Sequence, residues 1–184
     1  AKKVEMFIGE YDTPLGMAQA SARCTFGVAE ALSEINPDIV LITVDRVETL
    51  ASTTAASLMN FPIAHIQGGE VTGTIDESIR HAVTKLSHLH FPATADAAQR
   101  IINMGENKEY VFNSGCPYID EINNLKPMSI SSLSKKYGFD PEKKIIIFTQ
   151  HSVTTEIEDS LKQVEQTINA LESFPETQII SFFS

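Results

Sequence analysis

The chain has 184 residues, of which 42% are hydrophobic and 21% charged, and its net charge at neutral pH is −10. This composition is ordinary for a globular protein, and the acidic balance argues against a nucleic-acid-binding surface, which needs clustered basic residues. Cys24 and Cys116 fit neither a disulfide framework nor a metal-ligand pattern. No apolar run reaches the ~18 residues of a membrane span. We therefore expect a cytoplasmic protein with no membrane partner and no nucleic-acid partner.

Predicted strands and helices alternate through the first two thirds of the sequence. The strongest strand is the β-branched run Ile39–Val44, of the kind that parallel sheets bury on both faces. In chain order, the predicted elements are strand 4–8, helix 13–35, strand 39–44, a helix from Asp45 to about Asn60, strand 63–66, helix 74–86, strand 89–91, helix 95–104 and strand 110–112. Alternation with short connections predicts an α/β fold with a doubly wound parallel sheet.

The character of the sequence changes after residue 122. Residues 123–143 are rich in Asn, Pro and Ser and predict a linker that contains a short helix. A second α/β region then begins with a strand at 144–149, a helix that Thr155 and Glu158 would cap, and a strand at 178–183. So short a region cannot bury enough apolar surface to stand alone. We therefore expect residues 1–122 and 144–184 to be parts of two incomplete domains.

Acidic residues lie a short distance after two of the predicted strands, 39–44 and 63–66. Asp45 comes after the first of these strands, Glu70 follows the second across a Gly68-Gly69 pair, and Asp76 begins the next helix. In open α/β sheets, ligands bind in the crevice outside the carboxyl ends of the strands. The three carboxylates are therefore candidates for acid and base chemistry in one crevice.

Local interactions offer a second explanation for the same residues. Asp45 with Glu48, and Thr74 with Glu77, have the spacing of capping boxes at helix starts. Asp76 and Arg80 are four residues apart on one predicted helix and would form an ion pair there. Both explanations stay open at this point.

The sequence gives no support for a metal or a cofactor. Its five histidines have no zinc-ligand spacing, and its glycines form neither a phosphate-binding loop nor a dinucleotide fingerprint. We therefore predict a site without either.

Four separated motifs carry a family resemblance over nearly the whole chain. They are Asp45-Arg46-Val47-Glu48, the run from His65 to Leu89, Gly115-Cys116-Pro117 and the run from Gln150 to Glu156. Together they resemble the hydrolysing UDP-N-acetylglucosamine 2-epimerases, the first enzymes of sialic-acid-type sugar synthesis. The resemblance implies two Rossmann-like domains of glycosyltransferase-B type, a UDP-sugar substrate, a homo-oligomer and a longer full-length protein. It implies acid and base roles for Asp45, Glu70 and Asp76, and substrate contacts for Arg46, Gln67, Gly68, Gly69, Arg80 and His151.

Three residues depart from the family pattern. Val44 stands where many members have Gly, Gln67 stands where the animal bifunctional version carries a catalytic glutamate, and Ser152 replaces a usual Pro. The resemblance implies conversion of UDP-N-acetylglucosamine and water to N-acetylmannosamine and UDP, with no activity expected of the 184 residues alone. The alternatives are a non-hydrolysing 2-epimerase and a catalytically silent nucleotide-sugar-binding domain.

Overall fold

The computed structural model describes residues 2–8, 13–151 and 157–182. They form two compact units, Ala1–Asn123 and Asn124–Ser184, each of which contains a parallel β-sheet with helices. Within the described ranges, no helix is both long enough and apolar enough to span a membrane.

The first unit has a three-stranded parallel sheet in the order β1-β2-β3. Its elements are α1 (Pro14–Ile35), β1 (Val40–Thr43), α2 (Val47–Leu58), β2 (Ile63–Ile66), α3 (Ile75–Leu86), β3 (Leu89–Phe91), α4 (Ala95–Asn103) and α5 (Pro117–Asn124), the last ending at the unit boundary. Thr43 pairs with Ile66, and Ile66 with Phe91, so the three strands end at one edge. The predicted α/β alternation is confirmed.

One predicted strand of this unit is wrong, and another is reduced to a single parallel bridge. Residues 2–8 form no strand: Met6 is buried beside Ala20 and Cys24, and its carbonyl accepts a hydrogen bond from Arg23 Nε at 2.9 Å. Residues 108–110 form a 3₁₀ turn, and 111 makes only one bridge to the sheet. In both places a short apolar run resembles a strand although tertiary contacts decide otherwise.

The first unit has two buried core clusters, both formed where helices pack together and on the sheet. The larger cluster consists of Leu32, Ile42, Ala55, Ala56, Ile63 and Val83, and the smaller of Met6, Ala20, Cys24 and Ala51. All of β2 except its last residue is buried, whereas Leu41 of β1 is 63% exposed. The expectation that β1 is covered on both faces is therefore wrong for the described residues, because β1 is an edge strand that keeps one side chain, Ile42, in the core.

The second unit is smaller and has no fully buried residue in its described part. It contains α6 (Ile130–Tyr137), β4 (Lys144–Phe148), α7 (Ser160–Leu171) and β5 (Thr177–Ser181). β4 and β5 are parallel, in register from Lys144 with Thr177 to Phe148 with Ser181. Ser129 caps α6 at its start and left-handed Gly138 at its end. The predicted cap at Thr155 lies outside the described residues.

Candidate active site

The loops that leave β1 and β2 each begin with a left-handed residue. Val44 follows β1 with φ +67°, and Gln67 follows β2 with φ +60°. Because Thr43 and Ile66 are partners in the sheet, the two loops start side by side. A left-handed backbone is uncommon outside glycine and is strained for a β-branched residue such as Val. These two turns end the strands and start the loops that carry the candidate acids.

Arg80 joins the two loops from below. Its side chain, on α3, is 6% exposed. Nη2 donates to the Asp45 carboxylate, and Nη1 donates to the backbone carbonyl of Glu70 at 2.7 Å. The predicted ion pair between Asp76 and Arg80 is therefore wrong. A buried cation needs a charged or polar partner, and the Arg80 guanidinium finds its partners in the two loops.

Neither predicted capping box forms. The residue that caps α2 is Arg46, which makes no side-chain capping bond, while its Nε donates to Glu48 at 2.9 Å. Thr74 caps α3 without a side-chain capping bond. The carboxylate of Glu77 instead accepts the amides of residues 72 and 73 at 2.8 and 2.7 Å, and these bonds lower the pKa of Glu77. Both Glu48 and Glu77 have the spacing of a capping box, but their carboxylates accept hydrogen bonds from other donors.

The three candidate acids differ in what holds their side chains. Asp45 is ion-paired to Arg80. Asp76, in the first turn of α3, accepts one long bond from Thr74 Oγ1 at 3.4 Å. The half-buried Glu70 side chain has no hydrogen bond or ion pair with any described residue. Of the three, Glu70 is therefore the one whose carboxylate no described side chain engages.

The Gly68-Gly69 pair fits against the helices beneath the loop. A Cβ on Gly68 would lie 2.8 Å from His65 Nδ1 and 3.0 Å from Thr84 Oγ1. A Cβ on Gly69, where φ is +83°, would lie 2.4 Å from the Ala97 carbonyl oxygen of α4. Both glycines are buried. This packing accounts for the pair, and their contact with substrate stays a prediction.

His65 is a buried, neutral part of the support under the site. It is 1% exposed, and its Nδ1 lies 3.2 Å from the Thr84 hydroxyl, which also donates to the Arg80 carbonyl at 3.0 Å. Burial, followed by the nearby His90 and Arg80, lowers the pKa of His65 to about 4, while Asp45 and the Val44 backbone act in the opposite direction. At neutral pH His65 therefore carries no charge beside Arg80.

Gln67 points to a residue from much later in the chain. Its Nε2 donates to Cys116 Sγ at 3.2 Å. Cys116 lies in one of the motifs that carry the family resemblance, but no local spacing predicts its contact with a residue 49 positions earlier in the chain. Arg100 of α4 was missed for the same reason: its Nη1 donates to the Gly69 carbonyl, 31 residues earlier.

Two further candidate residues have exposed side chains. The Arg46 side chain is 66% exposed. His151 is exposed in the second unit, next to residues outside the described ranges, so its substrate contact stays a prediction. Two open cavities of about 540 and 450 Å³ occur in the first unit, and none of the candidate acids lines them. In the described parts of the chain, no three His, Cys, Asp or Glu side chains cluster as metal ligands would.

The sequence of the chain is similar to those of known 2-epimerases. Over 154 residues the chain is 42% identical to a protein of Legionella pneumophila named UDP-N,N'-diacetylbacillosamine 2-epimerase (hydrolyzing), covering 84% of this chain and 41% of that protein. It is 36% identical over 145 residues to UDP-N-acetylglucosamine 2-epimerase of Neisseria meningitidis, covering 79% and 38% of the two chains. The chain thus spans less than half the length of these relatives.

Solved structures and a family model agree with these relatives. The crystal structure of the Neisseria meningitidis UDP-GlcNAc 2-epimerase bound to UDP-GlcNAc matches with a TM-score of 0.78 at 22% identity, covering 95% of this chain and 49% of that one. The α/β fold is thus that of the glycosyltransferase-B-type epimerases, of which the chain holds a part. Residues 2–184 match the family model described as UDP-N-acetylglucosamine 2-epimerase. The chain belongs to the UDP-N-acetylglucosamine 2-epimerase family.

Proposed function

We propose that the full-length protein is a hydrolysing 2-epimerase that converts UDP-N-acetylglucosamine and water to N-acetylmannosamine and UDP. Family membership supports the epimerase part of this proposal, and the relatives named as hydrolyzing from Legionella pneumophila and Campylobacter jejuni support the hydrolysing part. The observation that carries it is the Arg80 bridge, which brings the loop of Asp45 and the loop of Glu70 to one place at the carboxyl edge of the sheet.

The reaction needs a base, a leaving group and a returning proton. A carboxylate removes the proton at C2 of the sugar, the bond from C1 to the UDP oxygen breaks, and a glycal remains. Water then adds its hydroxyl at C1 while a proton returns to C2 from the opposite face. A positioned carboxylate suits each proton transfer, because general acid and base groups act only within hydrogen-bond reach.

The contacts suggest how the acids divide this work. Glu70 is the candidate for the proton transfer at C2, since its carboxylate has no partner among the described residues. Asp76 is the candidate for the second transfer, because within the described part of the chain its carboxylate accepts only one hydrogen bond, from Thr74 Oγ1 at 3.4 Å. Asp45 is held by Arg80 and supplies a fixed negative charge beside the reacting sugar. Gln67, Arg46 and His151 remain proposed substrate contacts.

Product analysis tests the proposal against its rivals. The full-length protein is incubated with UDP-N-acetylglucosamine, and proton NMR follows the sugar. A hydrolysing epimerase releases free N-acetylmannosamine and UDP, a non-hydrolysing one yields UDP-N-acetylmannosamine, and a silent domain binds without turnover. Asp45→Asn should lower the rate, whereas Asp38→Asn, at the exposed opposite end of the same strand, should not. Absence of UDP release would refute the proposal.

A second substrate has support from particular relatives. Two of them, from Legionella pneumophila and Campylobacter jejuni, are named for N,N'-diacetylbacillosamine nucleotide sugars, and this chain is 42% identical to the first. Measuring kcat/KM for both UDP-sugars in one preparation decides between them. The higher value identifies the substrate class, and both outcomes keep the same carboxylate chemistry.

A further inference from the structure

Arg100 holds the loop of the candidate site from a second helix. It lies in the last turn of α4, is half-buried, and donates through Nη1 to the Gly69 carbonyl. A basic residue in the last turn is favoured by the helix dipole alone. That explanation does not account for a guanidinium that reaches a loop 31 residues earlier in the chain.

α4 also presses directly on the same glycine. A Cβ on Gly69 would meet the Ala97 carbonyl oxygen at 2.4 Å and Ile101 Cγ1 at 3.0 Å. Ala97 and Ile101 are 1% and 0% exposed. The loop is therefore seated on α4 by close packing and by the Arg100 hydrogen bond together.

These contacts bracket Glu70. The carbonyl of Gly69, just before it, binds Arg100, and its own carbonyl binds Arg80 at 2.7 Å. Because a peptide unit is planar, fixing both carbonyls fixes the two peptide planes that flank the Glu70 Cα. The side chain itself has no partner among the described residues. Two cations thus hold the backbone of Glu70, and none of the described residues engages its carboxylate.

We propose that Arg100 is a positioning residue that acts through Glu70. The proposal rests on the proposed function, in which the Glu70 carboxylate transfers the proton at C2. A misplacement of about 1 Å in a reacting group can lower a rate about 100-fold. Removing one of two anchors should move Glu70 by less than this, so we expect a smaller loss.

The test compares Arg100→Met with Arg23→Met in the full-length protein. Arg23 is a matched control, since it also donates to a backbone carbonyl, that of Met6, but outside the loop. Arg100→Met should lower kcat about tenfold and change KM less than threefold, and Arg100→Lys, which keeps the charge without the fork, should fall between. Arg23→Met should leave kcat unchanged.

The decisive arm repeats Arg100→Met in a Glu70→Gln background. If Arg100 acts through Glu70, the second substitution has no further effect on kcat, because residues that act as a unit are not additive. A tenfold loss that persists in that background, or an unchanged kcat in Arg100→Met and Arg100→Lys, would overturn the proposal. An inactive wild type would instead refute the proposed function on which it rests.

Discussion

The loops after β1 and β2 both carry an acid, but they hold it in opposite ways. Asp45 is held by its side chain, which is ion-paired to the nearly buried Arg80. Glu70 is held by its backbone, whose neighbouring carbonyls bind Arg80 and Arg100, and its carboxylate has no partner among the described residues. Arg80 therefore binds the carboxylate of Asp45 but the backbone of Glu70.

This contrast separates two roles that the sequence alone could not separate. A carboxylate that is ion-paired to a nearly buried guanidinium contributes to stability, because removing either partner leaves a charge without its counterion. A carboxylate that no described residue engages, on a backbone held by two guanidinium groups, can instead come within hydrogen-bond reach of a substrate. We therefore expect Asp45 to matter for stability as well as rate, and Glu70 to matter for rate alone.

Arg80→Met should lower both the stability and the rate, because it removes the partner of both loops. Breaking a buried ion pair costs roughly 3–5 kcal/mol, and the partial exposure of Asp45 reduces this to about 2–3 kcal/mol. The rate should also fall by about 100-fold as both loops move. Urea unfolding and UDP release measure the two effects.

Arg46→Met is the matched control for that substitution. Arg46 is next to Asp45 in sequence and is also ion-paired, to Glu48, but its side chain is 66% exposed. Exposed pairs contribute about 0–1 kcal/mol. Equal losses of unfolding free energy in the two variants would contradict the role given to Arg80.

His65 should make the fold of this region sensitive to acid. Its pKa is lowered to about 4, so the unfolded chain binds the proton more readily, and stability is full above about pH 6.5 and falls as the pH drops towards 4. The loss from this one group amounts to about 3 kcal/mol. The difference in unfolding free energy between pH 7 and pH 4 should therefore be about 3 kcal/mol smaller in His65→Gln than in the wild type.

The wild type measured at the same two pH values is the reference for that variant. If His65→Gln leaves the difference in unfolding free energy between pH 7 and pH 4 as it is in the wild type, burial of a neutral imidazole under the site is not the cause.

Gly69→Ala tests the packing of the second loop. The new methyl group would lie 2.4 Å from the Ala97 carbonyl oxygen at φ +83°, so we expect a loss of about 2 kcal/mol or more from the clash and the backbone strain. Gly73→Ala, at φ +72° with open space around it, carries the strain alone and should cost about 1 kcal/mol. Thermal unfolding of both variants gives the comparison, and equal costs would contradict close packing on α4.

Val44→Gly should have a small effect, and it should stabilise the protein. Val44 has φ +67°, where a β-branched residue is strained by about 1–2 kcal/mol, and glycine relieves this at some cost in chain entropy. We expect a gain of about 1 kcal/mol. Asn60→Gly, at φ +58°, should gain less because Asn tolerates this region. A loss in Val44→Gly would show that its side chain contributes contacts that outweigh the strain.

Elements whose signal is local could be predicted from the sequence. α1 begins where Thr13 and Pro14 predict it, with Thr13 Oγ1 accepting the amide of Gly16. The continuous apolar runs of β1 and β2 form neighbouring parallel strands. The crevice rule then placed Asp45 and Glu70 at one edge, because it depends on strand order and direction alone.

Contacts between distant segments could not be predicted in this way. Sequence spacing predicts an ion pair between Asp76 and Arg80, and such a pair on a helix contributes only a few tenths of a kcal/mol. Because Arg80 is nearly buried, its ion pair with the distant Asp45 is the more favourable one. The same limit applies to Arg100, whose acceptor is the Gly69 carbonyl 31 residues earlier. The periodicity of a sequence predicts the face of a helix on which a side chain lies, but it does not predict which distant residue that side chain contacts.

The rate at which solvent deuterium enters C2 of the sugar tests the central contrast most directly. The full-length protein is incubated in D₂O with UDP-N-acetylglucosamine, and NMR follows C2 of the released sugar. Wild type should incorporate one deuterium, and Glu70→Gln, with the unfolding free energy of wild type, should do so at least 100-fold more slowly. Deuterium incorporation by Glu70→Gln at the wild-type rate would contradict the assignment of the free carboxylate as the group that transfers the proton.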